Sequence, residues 1–520
     1  MESIEQTFNG TGDFGRKVQC PVVRNGDLIT KTYLRVVVPA GDSTDATGIY
    51  ADTKWAWVTS LGHALIDNVT LEIGGTQIDK HWGEWLTVWN ELSRKIGQDR
   101  GYATMIGNTD ALTVLNETHP ETTLWVPMRF FFCKFDGLAL PLIALQYHEV
   151  RMNFEFTPVE DLVVLEQGSS LTGRGLATAL NLSMVDCSLY VDYIYLDSEE
   201  RKRFAQASHE YLIEALQFPG TESVTGTNSR FRLNLNHPCK YLVWVSKLGR
   251  YTNGNAFLAY HPTDIDNVRL AATKRFVLKY ALAGTAANTV LVDAYGRVQP
   301  ANAASLATVY NTINAVAVSA TSTNAVADVD NITILGELLP VDFVSKPVAS
   351  LPTSFTFDNG VASGDITYPV IVAGGDGSSA KDVQVTQWDN FGNQLDGTEN
   401  STQTALLQLN GQDRFSQREG TYFNYVQPYQ HFSNTPVDGV NVYSFALNPE
   451  EHQPSGTCNF SRIDNATLNV TYGRLNSITG AVEANFQNAY LGDDSQFSIY
   501  AVNYNVLRVM SGMAGLAYSN

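Results

Sequence analysis

Few side chains in this sequence have the types and spacing that chemistry requires. His81 and Glu84 lie three positions apart in His81-Trp82-Gly83-Glu84, and His148 directly precedes Glu149. Either pair could relay a proton, but a metal shell needs further ligands at set spacings, and neither pair has them. The five cysteines, Cys20, Cys133, Cys187, Cys239 and Cys458, are widely spaced and form no C-x-x-C pair. An odd number so distributed argues against a zinc site or a disulfide framework. Cys133 lies in an apolar run and reads as a small buried hydrophobe. The sequence contains no G-x-x-x-x-G-K-[ST], G-x-S-x-G or H-E-x-x-H, so phosphate cradle, nucleophile elbow and zincin helix are all missing. Gly374-Gly375-Asp376-Gly377 sits in polar low-complexity sequence and reads as a flexible loop. The expectation is a protein with no catalytic, cofactor-binding or metal-ligating residues.

Three other groups could bind something. Trp82, Trp85 and Trp89 are close enough to stack a sugar or a base. Their spacing, shared with Leu86, Val88, Leu92 and Ile96, is that of a helix face over 84–96, which favours core packing. Arg201, Lys202 and Arg203 form the notable basic cluster but follow Glu199 and Glu200, so a solvated helix face is the simpler reading. Nine N-x-[ST] triplets begin at Asn9, Asn68, Asn116, Asn181, Asn331, Asn400, Asn459, Asn465 and Asn469. A sequence rich in Asn, Thr and Ser produces many by accident. Asn331 and Asn400 fall in the segment expected to be exposed and are the candidate glycosylation sites.

At 520 residues, the chain is too long for one ordinary core. Its formal net charge of −19 disfavours direct nucleic-acid contact, which needs clustered Lys and Arg. No apolar run reaches the roughly 20 residues that cross a bilayer. The start, MESIEQTFNG, lacks the basic and apolar regions of a signal peptide. A soluble protein without a secretory address is expected.

The elements that would position these residues are mostly strands. Residues 125–156, WVPMRFFFCKFDGLALPLIALQYHEVRMNFEF, organise the first half. An aromatic run to 135 reads as a buried strand, broken by Gly137 and Pro141. Met152, Phe154 and Phe156 then alternate with Arg151, Asn153 and Glu155, the two-residue period of a half-buried strand. Asn25-Gly26-Asp27 is a turn signal before a strand over 28–38, and Gly74-Gly75 sits between strands as a hairpin turn. Composition shifts at 197–208, where a short helical connector is expected. The second half has strands near 230–235 and 241–246. A polar, Ala-, Thr- and Asn-rich segment follows at about 283–408, loop-like at 374–380 but with strand-like pieces at 289–292 and 332–335. Asn410-Gly411 is a further turn, and 466–472 and 499–518 are strand material. Two β-rich halves, each closing on an apolar strand, read as two sandwiches in tandem.

The longest motifs carry a resemblance. ESIEQTFNG at 2–10, VTLEIGGTQIDKHWGEW at 69–85, GLALPLIALQYHEV at 137–150 and YVDYIYLDSEERKRFAQASHEYLIEALQF at 190–218 occur in order. LNGQDRFSQREGTYFNYVQPYQ at 409–430, YSFALNPEEHQPSGTCNFSRIDNATLNVTY at 443–472 and NYNVLRVMSGMAGLAY at 503–518 continue them. Together they resemble the major capsid proteins of large icosahedral double-stranded DNA viruses, the chlorella-virus type, and 250–408 carries little of the match.

The resemblance implies an all-β fold: two tandem eight-stranded antiparallel jelly rolls with long loop insertions and a few short helices. It implies a first roll over 1–200, a connector over 201–217 and a second roll over 218–520, with the insertion at about 283–408 as outward loops. It implies a structural, non-enzymatic subunit forming homotrimeric, pseudo-hexameric capsomers that tile an icosahedral virion shell. Its partners would be neighbouring capsomers, minor capsid proteins and, indirectly, an internal viral membrane, with assembly in the host cytoplasm. It further implies an N-terminal stretch ahead of Glu2 along the capsomer's inner side, where this sequence begins. A minor capsid or spike-associated paralogue binding host glycans is the alternative. The acidic charge suits the shell role, because it keeps free capsomers apart until many weak contacts sum.

Overall fold

The computed structural model describes residues 1–249, apart from 52, 96, 115 and 166–172, and then 275–282, 288–293, 329–335, 346–347, 390–393, 399–473 and 495–518. The chain divides into two compact units, one of Met1–Leu258, Thr386–Asn393 and Glu399–Asn520, the other of Ala259–Val385 and Gln394–Thr398.

Two sheets face each other in the first half. One runs Glu2–Thr7, Asp186–Ile194, Leu28–Val38, Thr122–Pro127 and the other Lys17–Pro21, Val150–Phe156, Ile66–Ile73, Thr76–Trp82, with every pairing antiparallel. Taken in chain order, the strands lie 1-8-3-6 and 2-7-4-5, the winding of a jelly roll. The second half repeats it. His209–Gln217, Gln496–Met510, Pro238–Lys247 and Asn441–Ser444 form one sheet. Asn228–Arg232, Ala466–Tyr472, Thr402–Leu409 and the short Gln412–Asp413 form the other. The double jelly roll is therefore present strand for strand.

Local sequence explains much of this. Val150–Phe156 alternates buried and half-buried side chains along its whole length, with Met152, Phe154 and Phe156 inward. Gly74 and Gly75 both have positive φ, +60° and +81°, as the tight turn joining Ile73 to Thr76 requires. A helix forms at Gly83–Ser93, slightly shorter than the 84–96 expected, and another at Ser198–Gln206.

Three expectations need correction. The aromatic run at 125–135 is not one strand. The strand stops at Pro127, and Phe131–Lys134 is a helical turn that buries Phe131 and Phe132 in the first roll's core. The connector ends early, because His209–Gln217 is already the first strand of the second roll, paired along its length with Gln496–Met510. Thr402–Leu409 is a sheet strand inside the segment read as an insertion, so the second unit is Ala259–Val385 with Gln394–Thr398 rather than 283–408. Three of the strand's eight side chains are buried and five are half-buried, without strict alternation, so no two-residue period shows in the sequence.

The described residues of the second unit make one antiparallel sheet in the order Asn288–Asp293, Arg275–Leu282, Val329–Leu335, Lys346–Pro347. It contains the strand-like pieces at 289–292 and 332–335, whereas the loop-like 374–380 lies outside the described residues.

Candidate functional site

The residues that stood out in the sequence meet at the seam between the two rolls. The helix Gly83–Ser93 leaves the fifth strand of the first roll and lays Trp85, Val88, Trp89 and Leu92 onto the second roll. These positions are spaced i, i+3, i+4, i+7, one face of a helix. They share a core with Leu216, Tyr241, Val243, Val245, Tyr500 and Val502. Trp85 packs 5.3 Å from the Tyr500 ring, and Trp82 meets Phe218 edge-on at 4.8 Å. The tryptophans are thus packing residues. In return, Ile213, Leu507, Val509 and Ala514 of the second roll enter the core of the first.

Polar groups stitch the same seam. Asp79 Oδ1 accepts from the Leu216 backbone N–H at 3.0 Å, and its other oxygen lies 2.9 Å from His81 Nε2. Glu84 accepts from the Tyr500 hydroxyl at 2.8 Å and pairs with Lys247 at 2.8 Å. The suspected His81–Glu84 pair is therefore divided between separate partners. Asn434 donates through its side chain to the Glu91 carbonyl, 2.8 Å, and through its backbone to that of Leu92, 3.1 Å. His148 and Glu149 also part. His148 Nδ1 accepts from the Ala514 backbone N–H at 3.1 Å, while Glu149 pairs with Arg151 at 2.6 Å. His148 sits so close over Gly74 that a Cβ there would lie 2.3 Å from its ring nitrogen.

One buried charge cluster lies at the seam. Lys240 has 0% of its side chain exposed, and its Nζ lies 2.5 Å from Glu214 Oε1 and donates to the Glu451 carbonyl at 2.9 Å. Glu214 Oε2 also faces Lys134 of the first roll at 3.5 Å, and Lys134 Nζ sits 4.4 Å over the Trp89 ring. Burial pushes the Lys240 ammonium below the usual lysine range, and the Glu214 carboxylate opposes that shift. The apolar run Pro238–Lys247 with a lysine third in line was the sequence signal for this group.

The remaining candidates are dispersed. Arg201 ties the connector helix to Asp27 Oδ1 at 2.9 Å, and Lys202 pairs with Glu199 on the exposed helix face at 3.1 Å. Asn331 is in the strand Val329–Leu335, opposite Ala281 and Pro347. Asn400 is half-buried. Its amide donates to the Gly420 carbonyl at 3.2 Å and to Asn441 Oδ1 at 2.7 Å, so a glycan on that nitrogen would break an inward network. Among the described residues, no three His, Cys, Asp or Glu side chains are grouped to hold a metal.

Exposed apolar side chains cluster elsewhere. The sixth-strand approach of the second roll is a π-helical turn, Tyr422–Val426, running into Gln427–His431. It exposes Tyr425, Val426 and, at 84%, Tyr429. Isolated exposed apolar residues are ordinary; these three fall within five residues of one helical segment.

The fold defines the class: a double jelly roll whose two halves share a hydrophobic seam. Comparison with known proteins agrees. A family model described as "Large eukaryotic DNA virus major capsid protein" matches residues 200–515, and one described as "Major capsid protein N-terminus" matches residues 1–197. The chain belongs to the major capsid protein family of large eukaryotic DNA viruses. It is 41% identical to the major capsid protein of Phaeocystis pouchetii virus over 100% of this chain and 93% of that one. The corresponding protein of Paramecium bursaria Chlorella virus 1 is 35% identical over 100% of this chain and 91% of its own. Among solved structures, the quasi-atomic model of the PBCV-1 virus capsid superposes with a TM-score of 0.61 at 32% identity, covering 100% of this chain and 96% of that one. The Faustovirus major capsid protein shares the fold at a TM-score of 0.58 and 12% identity, covering 98% and 90% of the two chains.

Proposed function

We propose that this chain is the structural subunit of an icosahedral virion shell, and that three copies close into a pseudo-hexameric capsomer. The observation that carries the reading is the repeated winding of the two rolls, with one sheet already covered within the chain. The first roll's helix caps the Trp244-bearing sheet of the second. The corresponding sheet of the first roll turns half-exposed Tyr33, Trp125 and Tyr190 outward, with the last two rings 4.8 Å apart. The corresponding helix of the second roll offers Tyr425 and Tyr429. Repeating the internal contact between copies joins these two surfaces head to tail. Six rolls in a ring close after three chains, which satisfies both surfaces without leaving an open end. Such obligate contacts often bury more than roughly 2,000 Å².

The role is structural and needs no catalytic step. Neighbouring capsomers, minor capsid proteins and an internal membrane beneath the shell are the further partners of this reading, with assembly in the host cytoplasm. The glycan-binding alternative is not favoured by the comparisons, and Trp85 and Trp89 are packed in the seam rather than free to stack a sugar. Asn331 remains the proposed glycan site, tested by a peptide mass map of virion protein.

The decisive measurement is the solution mass of the purified protein. A species at three times 57.1 kDa is expected, and Tyr429→Asp should reduce it to monomer with unchanged circular dichroism. A wild-type monomer indifferent to concentration would overturn the reading.

A further inference from the structure

The cysteine count argued against a disulfide, yet the fold sets two cysteines face to face. Cys239, on the third strand of the second roll, is the direct antiparallel partner of Cys458 on the short strand Cys458–Asn459. Directly opposed residues project to the same side of a sheet, with Cα atoms about 4.5–5.5 Å apart. That separation lies within the range of about 4.4–6.8 Å over which a disulfide closes without backbone movement. Both are thiols in this structure, where Cys239 Sγ lies 3.2 Å from the Tyr241 carbonyl.

We propose that Cys239 and Cys458 are a modification site, oxidised to a cross-strand disulfide by a small-molecule disulfide such as oxidised glutathione once the protein leaves a reducing compartment. Their surroundings set the order of events. Cys239 is fully buried, and Cys458 is half-buried. Burial raises both thiols above the usual range, Cys239 the more strongly, so the accessible Cys458 reacts first. Its thiolate attacks one sulfur of oxidised glutathione, forming a mixed disulfide and releasing one reduced glutathione. The Cys239 thiolate then attacks the Cys458 sulfur and releases the second. The pair gives up two protons and two electrons, and the oxidant takes them up as two thiols.

The bond would fasten a particular piece of chain. Cys458 lies within the connection between Asn441–Ser444 and Ala466–Tyr472, and that connection carries the Glu451 carbonyl that binds buried Lys240. The closed loop also contains residues 259–385, and a long loop is where a cross-link removes most unfolded-chain freedom. The bond would thus lock the polar seam after folding, while glutathione and thioredoxin keep the thiols reduced in a reducing cytosol.

The test uses the full-length purified protein, equilibrated in glutathione buffers of stepped ratio, quenched by acid, alkylated and digested without reductant. The expected result is a linked peptide pair containing residues 239 and 458, a mass lower by about 2 Da, and a higher melting temperature that dithiothreitol reverses. Cys458→Ser should fold normally and lose all three. Alkylation of both thiols in every oxidising buffer, or a link joining Cys239 to any other cysteine, would overturn the proposal. The mass readout does not depend on trimer formation, so its outcome is separate from that of the capsomer reading.

Discussion

Glu214→Gln probes the seam at its most sensitive point. The substitution keeps the shape but removes the one negative charge between two ammonium groups and turns one acceptor oxygen into an N–H donor. Lys240 has no exposed side-chain surface and Lys134 has 18%, against 9% for Glu214, so water cannot substitute for the lost carboxylate at Lys240. Removing one member of a buried pair typically costs about 3–5 kcal/mol. Lys134 retains some solvent and its position over Trp89, which confines the loss mainly to Lys240 and places the expected value at about 4 kcal/mol. The lysine limits the penalty by giving up its proton, since burial already lowers its affinity and Glu214 no longer opposes the shift. The sign of the pH dependence follows. With its folded pKa depressed below the unfolded value of about 10.4, the unfolded state binds more protons, so stability rises with pH. The variant's deficit should therefore shrink between pH 7 and pH 10. Guanidinium unfolding of the full-length protein at fixed concentration, followed by tryptophan fluorescence, measures it. Glu214→Gln combined with Lys240→Met should recover most of the loss, because neither buried charge remains. A loss under about 1 kcal/mol for the single variant, or no recovery in the double, would refute the idea that this cluster holds the rolls together.

Trp85→Ala removes one of the helix's two tryptophans from a seam where it is fully buried, and should lower unfolding free energy by about 3–5 kcal/mol; calorimetry should then show the two rolls melting apart. His63 is buried between the Thr87 and Tyr102 hydroxyls, at 3.1 and 2.7 Å, and burial pushes its pKa down to about 3. The unfolded chain takes up the proton first as pH falls below about 6.5, so stability declines from there towards pH 3, by about 2 kcal/mol at pH 5; His63→Gln should flatten that part of the urea-midpoint profile. Gly439 has φ +90°, and a Cβ there would lie 2.1 Å from the Phe391 carbonyl oxygen. Gly439→Ala should accordingly destabilise by more than about 2 kcal/mol in the same unfolding assay.

Period and punctuation made most of the strands legible. The alternation at 150–156, the Asn-Gly-Asp turn before Leu28–Val38 and the turn at Asn410-Gly411, where Leu409 pairs with Gln412, all act within a few residues. The helix face of Trp85, Val88, Trp89 and Leu92 was readable for the same reason, though not what it would cover. Failures came where local signals conflict with pairing. The aromatic residues at 130–132 suit a buried strand or a buried turn equally; the pairing with Leu28–Val38 ends at Pro127, and a turn follows. Thr402–Leu409 carries its apolar residues as Ala405, Leu406, Leu407 and Leu409 rather than in alternation, and its pairing with Ala466–Tyr472 makes it a strand. The π-helical turn at Tyr422–Val426 left no periodic trace in an aromatic stretch.

The sequence by itself determined two β sandwiches, the turns that set their registers and the absence of a recognisable catalytic motif, because these depend on side-chain period and local backbone freedom. Tertiary structure alone decided which residues meet. Lys134, Glu214 and Lys240 lie far apart in the chain, as do Cys239 and Cys458. Their encounters follow from strand order and from one roll closing on the other. Such long-range pairings carry no spacing signal, since loop closure constrains them only after the sheets have formed.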